Sequence, residues 1–173
     1  MNEAVRLKDG RSARLRRLRT SDTELFVAYF GGLSVHSRYF FHPFAFDREH
    51  AAAEALKASA ADGYRLVAVT AEAEDERIVG YGWIDGLQGP ELPMLGIGLI
   101  DEYHNAGLGR ALLAAQLRGA REQGLKQVRL GVFDDNPRAI HVYESVGFRR
   151  DPTKPSRAEG NHLEVYMLLQ VGE

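Results

Sequence analysis

The order of hydrophobic segments along the chain restricts the fold more than any single residue does. Segments with strand-like alternation, such as YRLVAVTA, and segments with helical spacing follow one another roughly as ββαα-βββ-α-β-α-ββ. Strands and helices alternate regularly only in the second half of the chain, unlike in a doubly wound parallel sheet. The pattern therefore predicts an α/β (α+β) fold, with a mixed, largely antiparallel central sheet flanked by helices on both faces.

Length and composition exclude several classes of protein. The 173 residues predict a single domain over residues 1–173. The net charge of −2 gives no general attraction to nucleic acid, and no apolar run is long enough to span a membrane. The chain has no cysteine, which excludes disulfides, thiolate zinc sites and cysteine nucleophiles. We expect a cytoplasmic protein that binds neither nucleic acid nor membranes.

Local signals predict the first elements. VRLKDGRSARLR is typical of a β-hairpin with a two-residue turn at Asp9-Gly10. The aromatic-rich stretch SVHSRYFFHPF is predicted to be irregular, and a helix is predicted from Asp47 to about Ala61. The basic residues near the hairpin are expected on a solvated strand face, with phosphate or substrate contact as the alternative; they are Arg11, Arg14, Arg16, Arg17 and Arg19.

Two glycines, Gly107 and Gly109, stand at the mouth of a predicted helix in YHNAGLGRALLAAQLRGA. A Rossmann fingerprint requires a third small residue where this chain has Leu112, and a P-loop requires G-K-[ST]. Neither motif is present. Two interpretations remain: a tight strand-to-helix turn, or a phosphate site made by the free amides of the helix N-terminus.

A second segment, NPRAIHVYESVGF, spans residues 136–148. On a helix, Ala139 and Tyr143 share a face because they lie four residues apart. The small alanine opens a groove toward which the phenol one turn later can point. Taken alone, Tyr143 is equally typical of a core aromatic residue.

Together the two segments resemble the GNAT superfamily of acyl-CoA-dependent N-acetyltransferases. The family's phosphate motif, [RQ]-x-x-G-x-[GA], is similar to HNAGLG, residues 104–109, with histidine in place of arginine or glutamine at His104. Its second signature, N-x-x-A-x-x-x-Y-x-x-x-G-F, is matched at every defined position by residues 136–148. The resemblance implies a GNAT-like fold with splayed central strands. The position of His104 contributes chiefly a backbone amide in the family, so acetyl-CoA binding is still expected.

The resemblance also implies a site. Amides from Asn105 to Arg110 would hold the pyrophosphate, residues 97–99 would line the pantetheine arm, and Tyr143 would be the general acid that protonates the departing thiolate. Gly96 and Gly98 are consistent with a β-bulge that splays the strands, or with simple close packing within a strand. The expected acetyl-CoA-binding residues are Ile97, Gly98, Leu99, His104, Asn105, Ala106, Gly107, Leu108, Gly109, Arg110, Asn136 and Ala139.

The acceptor is expected to be an amine, either a small molecule or a protein lysine or N-terminus. An amine with a pKa near 10.4 is neutral only about 0.04% of the time at pH 7, so the site must remove a proton. Asp85, Glu91, His42 or water are the candidate bases. The aromatic residues near the predicted irregular segment either form an acceptor pocket or belong to the core; they are Tyr39, Phe40, Phe41, Phe44 and Phe46.

Three properties of the whole protein are open to alternatives or exclusion, namely catalysis, oligomeric state and metal binding. A non-catalytic CoA-binding sensor or interaction domain with the same fold is the alternative to an enzyme. A homodimer is compatible with the resemblance. No metal is expected, because the six histidines form no H-E-x-x-H motif or dense acidic cluster.

Overall fold

A single mixed sheet runs through the protein, seen in a computed structural model that describes residues 2–41, 43–72 and 75–172. Its strands lie in the order β1-β2-β3-β4-β5-β6-β9-β7, and β8 pairs with β9. Among the described strands, only β5 and β6 pair in parallel. The expected mixed, largely antiparallel sheet is confirmed. The strands are β1 (Asn2–Arg6), β2 (Ser12–Arg17), β3 (Gly63–Glu72), β4 (Asp75–Asp85), β5 (Met94–Leu99), β6 (Gln127–Phe133), β7 (Arg149–Arg150), β8 (Arg157–Glu159) and β9 (His162–Gln170).

Five α-helices accompany the sheet in the described residues: α1 (Thr23–Gly32), α2 (Val35–Phe40), α3 (Arg48–Leu56), α4 (Leu108–Glu122) and α5 (Pro137–Ser145). The aromatic-rich segment is irregular only around Pro43, as predicted there; its first part, Val35–Phe40, forms α2 instead. The side chain of Ser34 caps that helix by accepting from the Ser37 amide at 3.1 Å. The helix expected to reach Ala61 ends earlier, at Leu56, and a short 3₁₀ turn follows it.

Helices α1 and α4 cover opposite faces of the sheet. The ring of Tyr81 on β4 meets Phe26 of α1, with ring centroids 4.7 Å apart. A Cβ on the neighbouring Gly82 would instead meet Gln116 of α4 at 2.6 Å. Successive residues of a strand point to opposite faces, so the two helices lie on opposite sides. The predicted placement of helices on both faces is confirmed.

Strands β5 and β6 separate soon after they meet. Met94 and Arg129 are their one paired position among the described residues. Beyond it, the β6-facing edge of β5 has no strand partner. The predicted splay of the central strands is therefore present, and it opens a wedge between β5 and β6.

The wedge does not come from a bulge at Gly96 and Gly98, and that prediction was wrong. Strand β5 pairs with β4 in unbroken register from Gly80↔Leu99 to Asp85↔Met94. The two glycines make room for aromatic rings instead. The indole of Trp83 lies where a Cβ of Gly96 would be, and a Cβ on Gly98 would meet the Phe41 ring at 2.8 Å.

The hairpin of β1 and β2 is present, but its turn is longer than predicted. Leu7 N donates to Arg11 O at 2.8 Å, which leaves residues 8–10 as a three-residue turn. The expected solvated arginine face is also wrong for Arg16, whose side chain is 3% exposed. Its guanidinium binds Asp22 at 2.6 Å and Glu76 at 2.7 Å, which compensates the cost of burying the charge.

Candidate active site

The two glycines at the start of α4 have different structural roles. Gly107 has φ +89° at the N-cap, a left-handed conformation that side chains rarely adopt. Asn105 also has a positive φ, of 60°. Gly109 has no such φ, but a Cβ there would lie 3.3 Å from Leu99 Cδ1. Gly107 therefore permits the tight turn, and Gly109 permits close approach to β5.

The N-terminus of α4 is suited to an anion. The Ala111 amide donates to Gly107 O at 3.1 Å, which is the first hydrogen bond of the helix. The amides of residues 108–110 precede this bond, at the start of the helix. No side chain caps the helix, and no acidic residue stands in its first turn. Amides left free at a helix start, together with the helix dipole, bind anionic oxygen. The turn and the phosphate interpretations of the glycine pair are therefore compatible.

A cleft of about 510 Å³ opens over this helix start and runs along the free edge of β5; it is called the donor cleft below. Most of the predicted acetyl-CoA residues line it, namely Ile97, Gly98, Leu99, His104, Asn105, Gly107, Gly109, Arg110, Asn136 and Ala139. Ala106 and Leu108 do not line it. Their side chains are buried in the hydrophobic core, so only their backbone is left for a ligand.

The charges on the donor cleft have one sign. Lys8, Arg110 and Arg138 line it, and no carboxylate does among the described residues. The chain as a whole carries a net charge of −2, so this is a local concentration of positive charge. Such a cleft attracts a polyanion.

His104, the departure from the family motif, holds one of these cations. Its Nδ1 is 3.0 Å from Arg138 Nη1 and its Nε2 is 3.2 Å from Leu99 O. A guanidinium only donates, so Nδ1 accepts and the ring proton on Nε2 donates to the carbonyl. Burial, followed by the positive charge of Arg138, lowers the pKa of His104. A neutral His104 thus fixes Arg138 at the cleft.

Lys8 was not predicted as a site residue. It sits on the β1–β2 turn, and its amide donates to Ala106 O at 3.0 Å. A Cβ on Gly107 would meet its methylenes at 3.7 Å. No local signal distinguishes this lysine from other surface lysines, because a hairpin at the start of the chain reaches α4 only through the tertiary fold.

Helix α5 brings Asn136 and Tyr143 to the cleft. Asn136 Oδ1 accepts from the Ala139 amide at 3.2 Å and caps the helix. The capping bond occupies this oxygen, so the NH₂ group is the part of the side chain left to donate to a ligand. The predicted sharing of one helix face by Ala139 and Tyr143 is consistent with both residues lining the donor cleft.

Tyr143 lies between two clefts. Its side chain packs edge-on against Phe148, with centroids 5.9 Å apart, and the residue is 7% exposed. Burial raises the pKa of its hydroxyl above the ordinary value. No hydrogen bond of that hydroxyl is recorded within the described part of the chain. A tyrosine in this state stays protonated at neutral pH, so it holds a proton between the two clefts.

The second cleft, of about 320 Å³, lies in the wedge between β5 and β6; it is called the acceptor cleft below. It shares Phe40, Phe41, Ile97, Gly131, Val132 and Tyr143 with the donor cleft. Phe40 and Phe41 are thus pocket walls, whereas Phe44 and Phe46 pack with Phe30 against the core, with centroids 5.6 and 5.3 Å away. The aromatic segment contributes to both pocket and core.

The proposed bases do not lie at either cleft. Asp85 accepts from Arg65 Nη2 at 2.5 Å, and Glu91 is exposed; neither lines a cleft. His42 lies outside the described residues. The carboxylates that do line the acceptor cleft are Glu159 and Glu164. Sequence reasoning missed both, because the cleft forms only when β8 and β9 pair.

The described residues contain no group of three or more His, Cys, Asp or Glu arranged to hold a metal ion. They also contain no helix with the length and apolar character needed to cross a membrane.

Comparisons with known sequences point to acetyltransferases. The model of the Acetyltransferase (GNAT) family matches residues 19–148. A mycothiol acetyltransferase of Kocuria rhizophila is 39% identical over 90 residues, which are 49% of this chain and 29% of that protein. An uncharacterized N-acetyltransferase of Mycobacterium bovis is 29% identical over 103 residues, or 60% of this chain and 66% of that protein. The chain spans about a third or less of the mycothiol acetyltransferases it matches.

Solved structures share the fold. The GNAT domain of S. lividans PAT is 20% identical with a TM-score of 0.77, covering 97% of both chains. Spermidine N-acetyltransferase from Vibrio cholerae, in complex with CoA and spermine, is 17% identical with a TM-score of 0.70, covering 91% of this chain and 95% of that one. The family match covers most of the chain and the fold agrees with it, so the protein belongs to the GNAT family of acetyltransferases.

Proposed function

We propose that the protein transfers an acetyl group from acetyl-CoA to a primary amine, with Tyr143 as the general acid. The observation that carries this proposal is that Tyr143 is common to both clefts. The donor cleft combines a free helix N-terminus with three cations, and the acceptor cleft opens on its other side. This position between the two clefts supports a role for Tyr143 at the thioester of the donor, where the amine attacks.

The donor cleft suits each part of acetyl-CoA. The amides at the start of α4, with Lys8, Arg110 and Arg138 around them, provide donors and positive charge for the phosphates. The unpaired edge of β5 provides backbone groups for the two amides of the pantetheine arm, as an added strand would use them. The NH₂ group of Asn136 is a further donor to that arm.

The reaction breaks the C–S bond and forms a C–N bond. The neutral amine attacks the thioester carbon, the sulfur leaves with the electron pair of the broken bond, and the nitrogen gives one proton to solvent as the amide forms. Tyr143 then gives its proton to this sulfur. Burial raises the pKa of the phenol, which keeps the proton on Tyr143 until the thiolate forms. Because the reference pKa of a thiol, near 8.5, is lower, this transfer is uphill, and reprotonation of the phenolate from solvent draws it forward. Solvent returns a proton to the phenolate after the products leave.

Replacement of Tyr143 by phenylalanine tests the acid role. We expect Tyr143→Phe to lower kcat about 100-fold or more, the range of general acid catalysis. The stabilisation of the protein by acetyl-CoA should stay close to that of the wild type. Release of CoA thiol can be followed with a disulfide reagent without background from the protein, because the chain has no cysteine.

Tyr29→Phe is the matched control. Tyr29 is 1% exposed within the core and its hydroxyl has no partner among the described residues, so its loss should leave turnover unchanged. Wild-type turnover in Tyr143→Phe would contradict the acid role. Binding of acetyl-CoA without turnover of any amine by the wild type would instead favour a non-catalytic CoA-binding domain.

A further inference from the structure

The charged groups at the acceptor cleft form a cluster that the transfer reaction, as described above, does not use. Glu159, Glu164 and Arg157 line the cleft. Arg157 Nη2 lies 2.8 Å from Glu159 Oε2 and 3.1 Å from Glu164 Oε2. One cation is therefore shared by two carboxylates.

Glu164 is held in one orientation by its neighbours. It lies on β9 opposite Phe133 of β6, at the end of their paired register. The Tyr166 hydroxyl donates to Glu164 Oε2 at 2.7 Å, and Arg157 forms an ion pair with the same oxygen. The side chain is 19% exposed. A carboxylate fixed through one oxygen can offer the other to a ligand.

The second oxygen of Glu164 lies over Gly131. Oε1 occupies the place where a Cβ on Gly131 would be. None of the described residues donates a hydrogen bond to this oxygen. Gly131 lines both clefts and belongs to the strand that diverges from β5. The absence of a side chain at Gly131 is thus what allows the carboxylate to lie at the wedge.

The remaining walls are apolar and largely aromatic. Trp83 and Phe40 line the cleft, with Phe133 and Met94 at its sides. Aromatic faces attract an ammonium ion through their quadrupole, and they bury an apolar body at the same time. The volume of about 320 Å³ is at the small end for ligand pockets. A compact ligand fits this cleft.

We propose that the acceptor is a compact primary amine with an apolar body, whose ammonium group binds Glu164 Oε1 and whose proton Glu164 accepts during transfer. This proposal rests on the proposed function, and it names the class of acceptor and the residue that recognises it. It commits to a small molecule rather than a protein lysine.

Protons and electrons balance with these groups alone. The bound ammonium first gives one proton to Glu164, directly or through one water, and the nitrogen lone pair forms the C–N bond. The nitrogen then loses a second proton to solvent as the amide forms. The C–S electron pair stays on sulfur, which receives the Tyr143 proton. Glu164 releases its proton to solvent before the next cycle.

Fluorescence of Trp83 provides a binding test that needs no turnover. Trp83 is the one tryptophan of the chain, and it lines the acceptor cleft. The probe is 2-phenylethylamine, titrated with and without CoA, which has no acetyl group to transfer. Its uncharged counterpart, 2-phenylethanol, is titrated in parallel. We expect the amine to bind about tenfold or more tightly than the alcohol, as for a hydrogen bond to a charged group.

Glu164→Gln keeps the size of the side chain and removes its charge. We expect this variant to bind the amine about tenfold or more weakly, to bind the alcohol unchanged, and to lose kcat/KM with the amine about 100-fold. Glu122→Gln on the exposed end of α4 is the control and should match the wild type. Retained acetyl-CoA stabilisation shows that Glu164→Gln is folded.

Each result decides between the alternatives. Equal amine binding by the wild type and Glu164→Gln would overturn the role of Glu164, as would equal binding of amine and alcohol by the wild type. Acetylation of lysine peptides with no binding of 2-phenylethylamine would overturn the small-molecule class. Failure of the proposed function gives a separate sign, namely no stabilisation by acetyl-CoA and no thiol release with any amine.

Discussion

At the scale of single residues, His104 shows how a changed motif position takes on a different contact. The side chain joins Arg138 to the Leu99 carbonyl. The neutral ring is needed for this arrangement, since a protonated Nδ1 cannot accept from a guanidinium. The histidine therefore links a cation of the donor cleft to the edge of β5, and it makes that link sensitive to pH.

The pH dependence follows from the sign of the shift. The pKa of His104 is lower in the folded protein, through burial first and Arg138 second, so the unfolded chain binds the proton more readily. The stability from this group is complete above the unfolded pKa near 6.5 and decreases as the pH falls toward the folded pKa. Stabilisation by acetyl-CoA should weaken over the same range. Thermal unfolding between pH 5 and pH 8 measures both.

His104→Gln is the matched variant for this prediction. A glutamine can accept from Arg138 and donate to Leu99 O, but it does not titrate. We expect it to retain acetyl-CoA stabilisation at neutral pH and to lose much of the decrease below pH 6.5. An identical acid decrease in the wild type and the variant would show that other groups cause it.

At the scale of elements, α5 combines a structural and a ligand-binding function in its first residue. Asn136 caps the helix through Oδ1 and leaves its NH₂ group at the donor cleft. The cap fixes the start of the helix, and Tyr143 lies two turns farther along it. A loose cap would therefore also loosen the placement of the proposed acid.

Two substitutions separate these functions of Asn136. Asn136→Ala removes the cap and should lower the free energy of unfolding by about 1 kcal/mol, or the melting temperature by about 2–4 °C. Asn136→Asp keeps a capping oxygen and should preserve stability while weakening acetyl-CoA binding, since it removes the amide donor. Thermal unfolding with and without acetyl-CoA measures both effects. Equal acetyl-CoA affinity in Asn136→Asp and the wild type would contradict the donor role.

At the scale of the whole molecule, the wedge between β5 and β6 separates two charged environments. Lys8, Arg110 and Arg138 face the donor cleft, whereas Glu159 and Glu164 face the acceptor cleft with Arg157 between them. These groups come from separate parts of the chain, and the sheet order brings them to the two sides of Tyr143. Under the proposed function, a polyanionic donor and a cationic acceptor would be directed to different sides of one site.

We propose that residues 1–173 form one folding unit, which predicts a single cooperative thermal transition.

Acetyl-CoA at 100 times its dissociation constant should stabilise the protein by about 2.7 kcal/mol, which raises the midpoint by roughly 5–10 °C. Added salt should reduce this increase, because the cations on the donor cleft are screened. Scanning calorimetry with and without acetyl-CoA tests all three statements. Two resolved transitions would contradict the single unit, and an unchanged midpoint would contradict the donor site.

The sequence by itself determined the features that depend on short-range spacing. The order of hydrophobic segments predicted the mixed sheet with helices on both faces, and the motifs around Gly107 and Tyr143 predicted the family. Local backbone chemistry has the same consequence wherever a segment lies, so a left-handed turn before a helix or a shared helix face is readable from neighbours alone.

Only the tertiary structure decided which distant side chains meet. Lys8 reaches Gly107 because a hairpin turn packs on the start of α4, and Glu164 reaches the wedge because β9 pairs with β6 beside Gly131. Asp85, a plausible base from its place along the chain, binds Arg65 instead. Strand pairing and register set these contacts across long sequence separations, and no local pattern of residues encodes them.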